Sequence, residues 1–589
     1  MKTVILNTFT SFATFPMFNP AYLKGLLLRA GIENKHIDVN QITWNILLNE
    51  DFLNSLSFNK EIVETSPFPY SILNTASEFS TSKQKVLRRI NKAKQILQSS
   101  SATNIRLLNW AQHVIFRALN LIYCHYGTFF MTNIPFWANI GFEYNDISHI
   151  YSLAEDRAHN PLIQIFEEEI VPRIKQEAPD VILVDVMFPW DIIPALTLNI
   201  LIKKHLPSCH INYSGLGFDE FSFSRITHKM KNPQFFFNFD SVFVYRNDGG
   251  IIELIKRIAD NRKTDDIENL YTPKSFGPIS TGKLFDESVI PNYDDIEWDK
   301  YFFPERIVVD RLSYRCFWAK CNFCSINSNK RTRQASHVDT QVNKIKTLHQ
   351  KYQISNFWFL DEACPPEFAV EFADKIAKEN ITWSLRTRLD KKLNNENLAR
   401  LSSAGLRELW IGLEHVDEEI LSRMNKSDFN SDYASVAADV INNATKNNIG
   451  LHFCHILGFP SENDQNREKI SEFYTTHKEG ISRKPFFTTF NVFGLMLDSP
   501  MYEKPDQFGI IETHDDDTKF NMIQVPYKTI YDDDTSNPLV INNLSQWIGL
   551  YTSILVNQES LIPLWMSIAD TPFEFLLKKY YNHNPFLKS

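Results

Sequence analysis

Apolar residues along this chain alternate between short continuous runs and longer stretches with helical spacing. The run Thr3 to Asn7 reads as a strand. A loop ending in Phe18-Asn19-Pro20 follows, then a helix from about Ala21 to Ala30 and a strand near Ile37 to Val39, a β-α-β opening. From about Thr43 to Arg173 the pattern is helical, and Lys83 to Gln98 reads as a solvated helix face. The β-α rhythm resumes at Val181 to Val186, an apolar run suited to a parallel sheet covered on both faces. A helix from about Trp190 to His205, a strand His210 to Tyr213 with the turn Ser214 to Gly217, a strand Ser241 to Tyr245 ending in Asn247 to Gly250, and a helix Ile251 to Ile258 complete the series.

These pieces predict an α/β fold whose first domain, residues 1–260, is doubly wound and Rossmann-like, with a helical insertion at about 43–173. Polar residues, Pro and Gly dominate 261–303, which holds the acidic patch Asp294, Asp295 and Glu297 and reads as a linker. A second β/α series starts at Arg306 to Asp310 and spans 304–497. The remainder, 498–589, is expected to be a small, mostly helical domain, with helices around Leu544 to Leu561 and Phe573 to Tyr580.

Composition narrows the function classes. Of 589 residues, 43% are apolar and 13% aromatic, enough for large cores and against extended disorder. The net charge is −9 with scattered basic residues, which argues against a nucleic-acid partner. The start lacks a charged segment followed by an apolar run, and nowhere are about 18 consecutive residues apolar. No membrane association and a cytoplasmic location are therefore expected.

Seven cysteines make an odd number for a disulfide framework, and three are grouped. Cys124, Cys209, Cys364 and Cys454 stand alone and read as small apolar residues without assigned chemistry. The group lies in Arg315-Cys316-Phe317-Trp318-Ala319-Lys320-Cys321-Asn322-Phe323-Cys324, directly after a predicted strand. Three thiolates on one loop can cap three corners of a cubane and leave one iron open. Tetrahedral zinc is the alternative, but it needs a fourth ligand, and His337 stands outside the usual short ligand spacing.

This cysteine run resembles the cluster loop of radical S-adenosylmethionine (SAM) enzymes, in the spacing found in part of their cobalamin-binding class. Further segments follow in that superfamily's order. Phe357 to Ala363 resembles the second core strand, with Asp361 and Glu362 where the family holds the SAM amine. Trp383 to Arg388 is similar to the third strand and brings Arg386 and Arg388. Leu401 to Glu414, with Ile420 to Lys426 after it, resembles the fourth strand and its helix. The family usually has Glu-Ser at that strand end; here Glu414 is followed by His415, so only the Glu carries over. Ile456 to Glu462, with Gly458, resembles the segment beside the adenine.

The resemblance implies a partial (β/α)6 radical SAM barrel, a [4Fe-4S] cluster held by Cys316, Cys321 and Cys324, and SAM contacts at Asp361, Glu362, Arg386, Arg388, Glu414 and Gly458. It also implies an electron donor such as flavodoxin or ferredoxin. The first domain resembles the cobalamin-binding domain of the methylating class, which places cobalamin against Phe188, Pro189, Trp190, Ser214, Gly215, Gly217, Asn247, Gly249 and Gly250. The chain lacks an Asp-x-His-x-x-Gly motif, so a bound cobalamin is expected without an axial His from that motif. The function implied is a cobalamin-dependent methyltransferase acting on an unactivated carbon of a peptide or small metabolite. The alternatives are a cobalamin-independent radical SAM epimerase, cyclase or ring-forming enzyme, and a non-catalytic iron-sulfur or zinc protein. No catalytic acid or base is assigned.

Overall fold

The computed structural model describes residues 1–10, 12–65, 73–99, 105–127, 129–130, 135–136, 147–187, 191–214, 238–244, 247–278, 286–327, 336–482, 486–514, 524–531, 543–544, 546–547 and 550. They divide into two compact units, the first from Met1 to Arg306 and the second beginning at Ile307.

The first unit is built on β1 (Thr3–Asn7), β2 (Asn34–Asp38), β3 (Val181–Asp185), β4 (His210–Ser214), β5 (Ser241–Phe243) and β6 (Leu270–Tyr271). Their spatial order is β2-β1-β3-β4-β5-β6. The first five are parallel, and β6 runs antiparallel to β5, so the doubly wound sheet is mixed. Every residue of β1 and β3 is buried, as their unbroken apolar runs require. Helix Phe18–Arg29 begins earlier than its apolar spacing suggested, with Pro20 tolerated in its first turn. Strand β2 begins at Asn34, before its apolar residues, because an edge strand needs no continuous apolar run.

The insertion is a helical layer, including Ala76–Leu87, Ile90–Leu97 and Ile105–Tyr126. The basic stretch expected as one solvated face is two helices that bury Val86, Ile90, Ala93, Ile96 and Leu97.

The expected linker is a correction to the sequence reading, since its described residues pack into the first unit. Asp295 accepts from Lys24 Nζ at 2.6 Å, Lys35 Nζ at 2.8 Å and the His36 backbone N–H at 2.8 Å. Phe302 stacks on Phe12 with centroids 5.0 Å apart. Gly25 makes room for this strap, because a Cβ there would stand 2.2 Å from the Ile290 carbonyl oxygen. Of the acidic patch, Asp295 is taken up by this pairing, while Asp294 and Glu297 are exposed.

The second unit has six strands, β7 (Ile307–Asp310), β8 (Asn356–Phe359), β9 (Thr382–Arg388), β10 (Leu406–Glu414), β11 (Gly450–Leu457) and β12 (Phe486–Val492). All are parallel and lie side by side in chain order, with β7 and β12 at the edges. Helices such as Val338–Tyr352, Pro366–Ile376 and Tyr433–Lys446 separate successive strands, giving the open (β/α)6 arrangement.

Most of the helix expected around Leu544 to Leu561 lies outside the described residues. Ile510–Thr513 pairs with Tyr527–Thr529, and Leu497, Met501, Ile510, Val525 and Tyr527 share one core with Ile420, Met424 and Phe459. The predicted helix at Phe573 to Tyr580 lies outside the described residues. Among the described residues no helix is long and apolar enough to cross a membrane.

Candidate active site

The cysteine loop leaves the carboxyl end of β7 and is fastened at both ends. At its start, Asp361 accepts from the backbone N–H groups of Leu312 (3.1 Å) and Ser313 (2.5 Å) and from the Ser313 hydroxyl (2.7 Å). Burial pushes its carboxyl up to about 7, although those donors pull it down. Glu362 accepts from Arg311 Nη1 at 2.7 Å and from the Arg315 N–H at 3.1 Å. Arg315 and Ala319 take left-handed φ values of 74° and 46°, which turn the chain on either side of Phe317-Trp318.

Further along, the loop rests on the end of helix Glu418–Met424. Trp318 Nε1 donates to the Asn425 carbonyl (2.9 Å), Asn425 Nδ2 to the Lys320 carbonyl (2.9 Å), and Asn322 Nδ2 to the Arg423 carbonyl (2.8 Å). The sequence Arg423-Met424-Asn425-Lys426 therefore positions the cysteines from outside their own loop.

Cys316, Cys321 and Cys324 line one cavity of about 310 Å³. Cys321 is buried, and the other two are partly open. Burial raises the Cys321 thiol, and the nearby Cys316 adds to the rise, while Lys426 and Arg388 oppose it. Burial, reinforced by Cys321, pushes Cys324 up to about 12. Three thiols meeting in one cavity, with Lys426 and Arg388 beside them to balance thiolate charge, form a donor set that fits an iron-sulfur cluster.

Strand alternation builds the facing wall. Arg386, Trp410, His452 and Phe487 are cross-strand neighbours in one row, and Arg388, Gly412, Cys454 and Thr489 form the next. In the first row the Arg386 guanidinium lies 4.7 Å from the Trp410 ring centroid, and Trp410 stacks on His452 at 3.9 Å. His452 Nε2 meets Thr489 Oγ1 of the second row at 2.7 Å.

At the end of β10 a register shift and a φ of 61° turn Glu414 toward Lys426, whose Nζ donates to it at 2.8 Å. Burial works against the Lys426 charge, but Glu414 and Cys321 raise its pKa overall. Gly412 leaves the space for this pair, since its Cβ would lie 2.6 Å from Glu414 Oε1 and 3.0 Å from Lys426 Nζ.

Of the residues proposed from sequence, Glu362, Arg386, Arg388 and Glu414 share the cavity with the three cysteines. Asp361 is not on its wall; its carboxylate is occupied in holding the loop. Gly458, at φ 75°, is also off the wall, and its N–H is bound by Glu462, which also accepts from Phe459 N–H at 3.1 Å. His415 turns inward, where Nδ1 accepts from Asp417 N–H at 2.9 Å.

In the first unit, Ser214 ends β4, while Asn247 caps helix Asp248–Ala259 by accepting from Gly250 N–H at 2.9 Å, with Gly249 in its first turn. Phe188, Pro189, Trp190, Gly215 and Gly217 lie outside the described residues. The sequence reading missed Trp318, Trp410, Gly412, Lys426, Cys454 and Thr489. Period-two alternation on β10, β11 and β12, counted from Glu414, was the available signal for the strand residues.

Residues 311–474 match the profile of the radical SAM superfamily. Over that segment the chain is similar to radical SAM domains, the kind that works with a [4Fe-4S] cluster and SAM. Among solved structures, the radical SAM methyltransferase TsrM from Kitasatospora setae, with cobalamin and a [4Fe-4S] cluster bound, is similar at TM-score 0.53 and 12% identity, covering 98% of this chain and 94% of that one. The same enzyme with tryptophan substrate and the SAM analogue aza-SAM gives 0.55 at 12% identity, with 98% and 95% covered. OxsB, a cobalamin-dependent SAM radical enzyme solved with aqua-cobalamin and SAM, gives 0.50 at 16% identity, covering 72% of this chain and 65% of that one. These likenesses are of fold. No curated protein matches the chain.

Proposed function

We propose that this radical SAM enzyme is cobalamin-dependent and methylates an unactivated carbon of a peptide or small metabolite. The observation that carries the radical part is the single cavity in which Cys316, Cys321 and Cys324 meet Glu362, Arg386 and Glu414. The reduced cluster would supply the electron that cleaves SAM to a radical able to take hydrogen from carbon, and cobalamin would carry the methyl group.

The chain's own residues do the positioning. Glu362 and Glu414 present carboxylates suited to the SAM amine or ribose hydroxyls, and Arg386, flattened on Trp410, offers donors for a carboxylate. Side chains of β10, β11 and β12 form one wall of the cavity. Arg388 also lies in this wall.

Support for cobalamin comes from the mixed Rossmann-like sheet and the TsrM-like fold. Polar groups gather at the carboxyl ends of its strands, where such sheets bind ligands. There, the Thr10 and Ser214 hydroxyls are buried without a hydrogen-bond partner among the described residues. A one-electron donor such as flavodoxin or ferredoxin belongs to the same proposal.

Reconstituted protein tests it by cluster content, 5′-deoxyadenosine release and corrinoid absorption. We expect SAM cleavage that Cys321→Ala abolishes, and a bound base-off cobalamin. A full cluster that cleaves SAM but takes up no cobalamin would overturn the methyl-carrier part.

A further inference from the structure

We infer that Arg388 is the counter-cation of the cluster itself, a positioning residue that sets its reduction potential before SAM arrives. The inference rests on the radical SAM reading and deepens it.

Arg388 is only 4% exposed and lines the cavity. Of the other cations near the cysteine loop, Arg311 pairs with Glu362, Lys344 with Asp310, and Lys426 with Glu414. Among the described residues no carboxylate stands within ion-pair distance of Arg388. Its one hydrogen bond runs from Nη2 to the Lys426 carbonyl oxygen, and Nε has no partner. An enclosed guanidinium with unused donors is costly unless an anion completes it.

The surroundings say which anion. The guanidinium carbon lies 3.9 Å from the Trp318 ring centroid and 5.7 Å from that of Phe317, both in the spacer between Cys316 and Cys321. It lines the same cavity as Cys316, Cys321 and Cys324. A cubane carrying three thiolates is anionic when oxidised and gains one more negative charge on one-electron reduction. A fixed cation beside it favours the reduced state and raises the potential. The contact with the Trp318 ring also ties that charge to the loop holding the ligands, so charge and ligands keep one spacing.

The competing anion is the SAM carboxylate, and a potential measured without SAM separates the two. Holoenzyme with a reconstituted cluster, free of SAM and substrate, is titrated with dithionite and followed by the electron paramagnetic resonance of the reduced cluster. We expect Arg388→Gln to keep wild-type iron content and move the midpoint to more negative potential, and Arg388→Lys to stay near wild type. An unmoved midpoint in Arg388→Gln, with SAM affinity down tenfold or more, would assign Arg388 to SAM and overturn the inference. If Arg388→Gln assembles too little cluster, Arg388→Lys decides: a wild-type midpoint supports the inference, and a negative shift despite the retained charge overturns it. Wild-type protein whose cluster fails to cleave SAM would end the functional reading instead.

Discussion

Asp361 shows how a carboxylate beside a cofactor cavity can serve the backbone. Its two oxygens accept three hydrogen bonds from Leu312 and Ser313, just before the first cysteine. Asn at this position keeps one acceptor and turns an NH2 group toward a donor. Asp361→Asn is therefore expected to destabilise the loop by about 1–3 kcal/mol and to lower iron retention, while SAM affinity per assembled cluster stays unchanged. Iron assay and SAM titration on the same preparation check this; normal iron with weakened SAM binding would return Asp361 to the SAM contacts. The three cysteines were legible in sequence because their spacing is local. Asp361 and Glu362 were legible as important acids, but which of them faces the cavity depends on the turn after β8, and no local pattern encodes that turn.

At the scale of elements, the strand ends make the site. Strand β10 needs its glycine, because Gly412 and Glu414 lie on either side of a register shift and share space with Lys426. Gly412→Ala is expected to displace the Glu414–Lys426 pair at a cost of about 1–3 kcal/mol. Weaker SAM binding should accompany a preserved cluster spectrum, as read by calorimetric titration and absorbance. Wild-type SAM affinity in that variant would mean the pair lies outside the SAM site. The strand order of the second unit could be anticipated because each apolar run is followed by a helix that can return the chain to the next parallel position. Cys454 was passed over as an isolated apolar residue. Only its register, beside Gly412 and Thr489, brings it to the cavity.

Over the whole molecule, buried histidines tie stability to pH. His455 is fully enclosed, meets Tyr474 Oη at 2.5 Å, and is pushed down to about 3 by burial, with His415 adding to the effect. His36 in the first unit is likewise lowered, chiefly by burial. The unfolded chain binds a proton at these positions below about pH 6.5 and the folded one does not. The stability present at neutral pH is therefore lost as pH falls from about 6.5 toward the folded values, by up to ~1.4 kcal/mol per pH unit for each histidine. Urea unfolding at pH 7.5 and 5.5 should show this loss, smaller in His455→Phe; equal slopes in variant and wild type would contradict it. The two-domain α/β organisation was readable from alternating runs over long distances. The polar segment after residue 260 was misread, because composition reports polarity and not the partner that answers it.

That strap has a practical consequence for anyone dividing the polypeptide. Excision of the N-terminal half after residue 260 would strip Lys24, whose side chain is 7% exposed, of its carboxylate and bare the face of Phe12. A cut just after Arg306, where the long N-terminal run of that unit ends, leaves those contacts whole and is the better place to divide the chain when expressing the corrin-binding candidate.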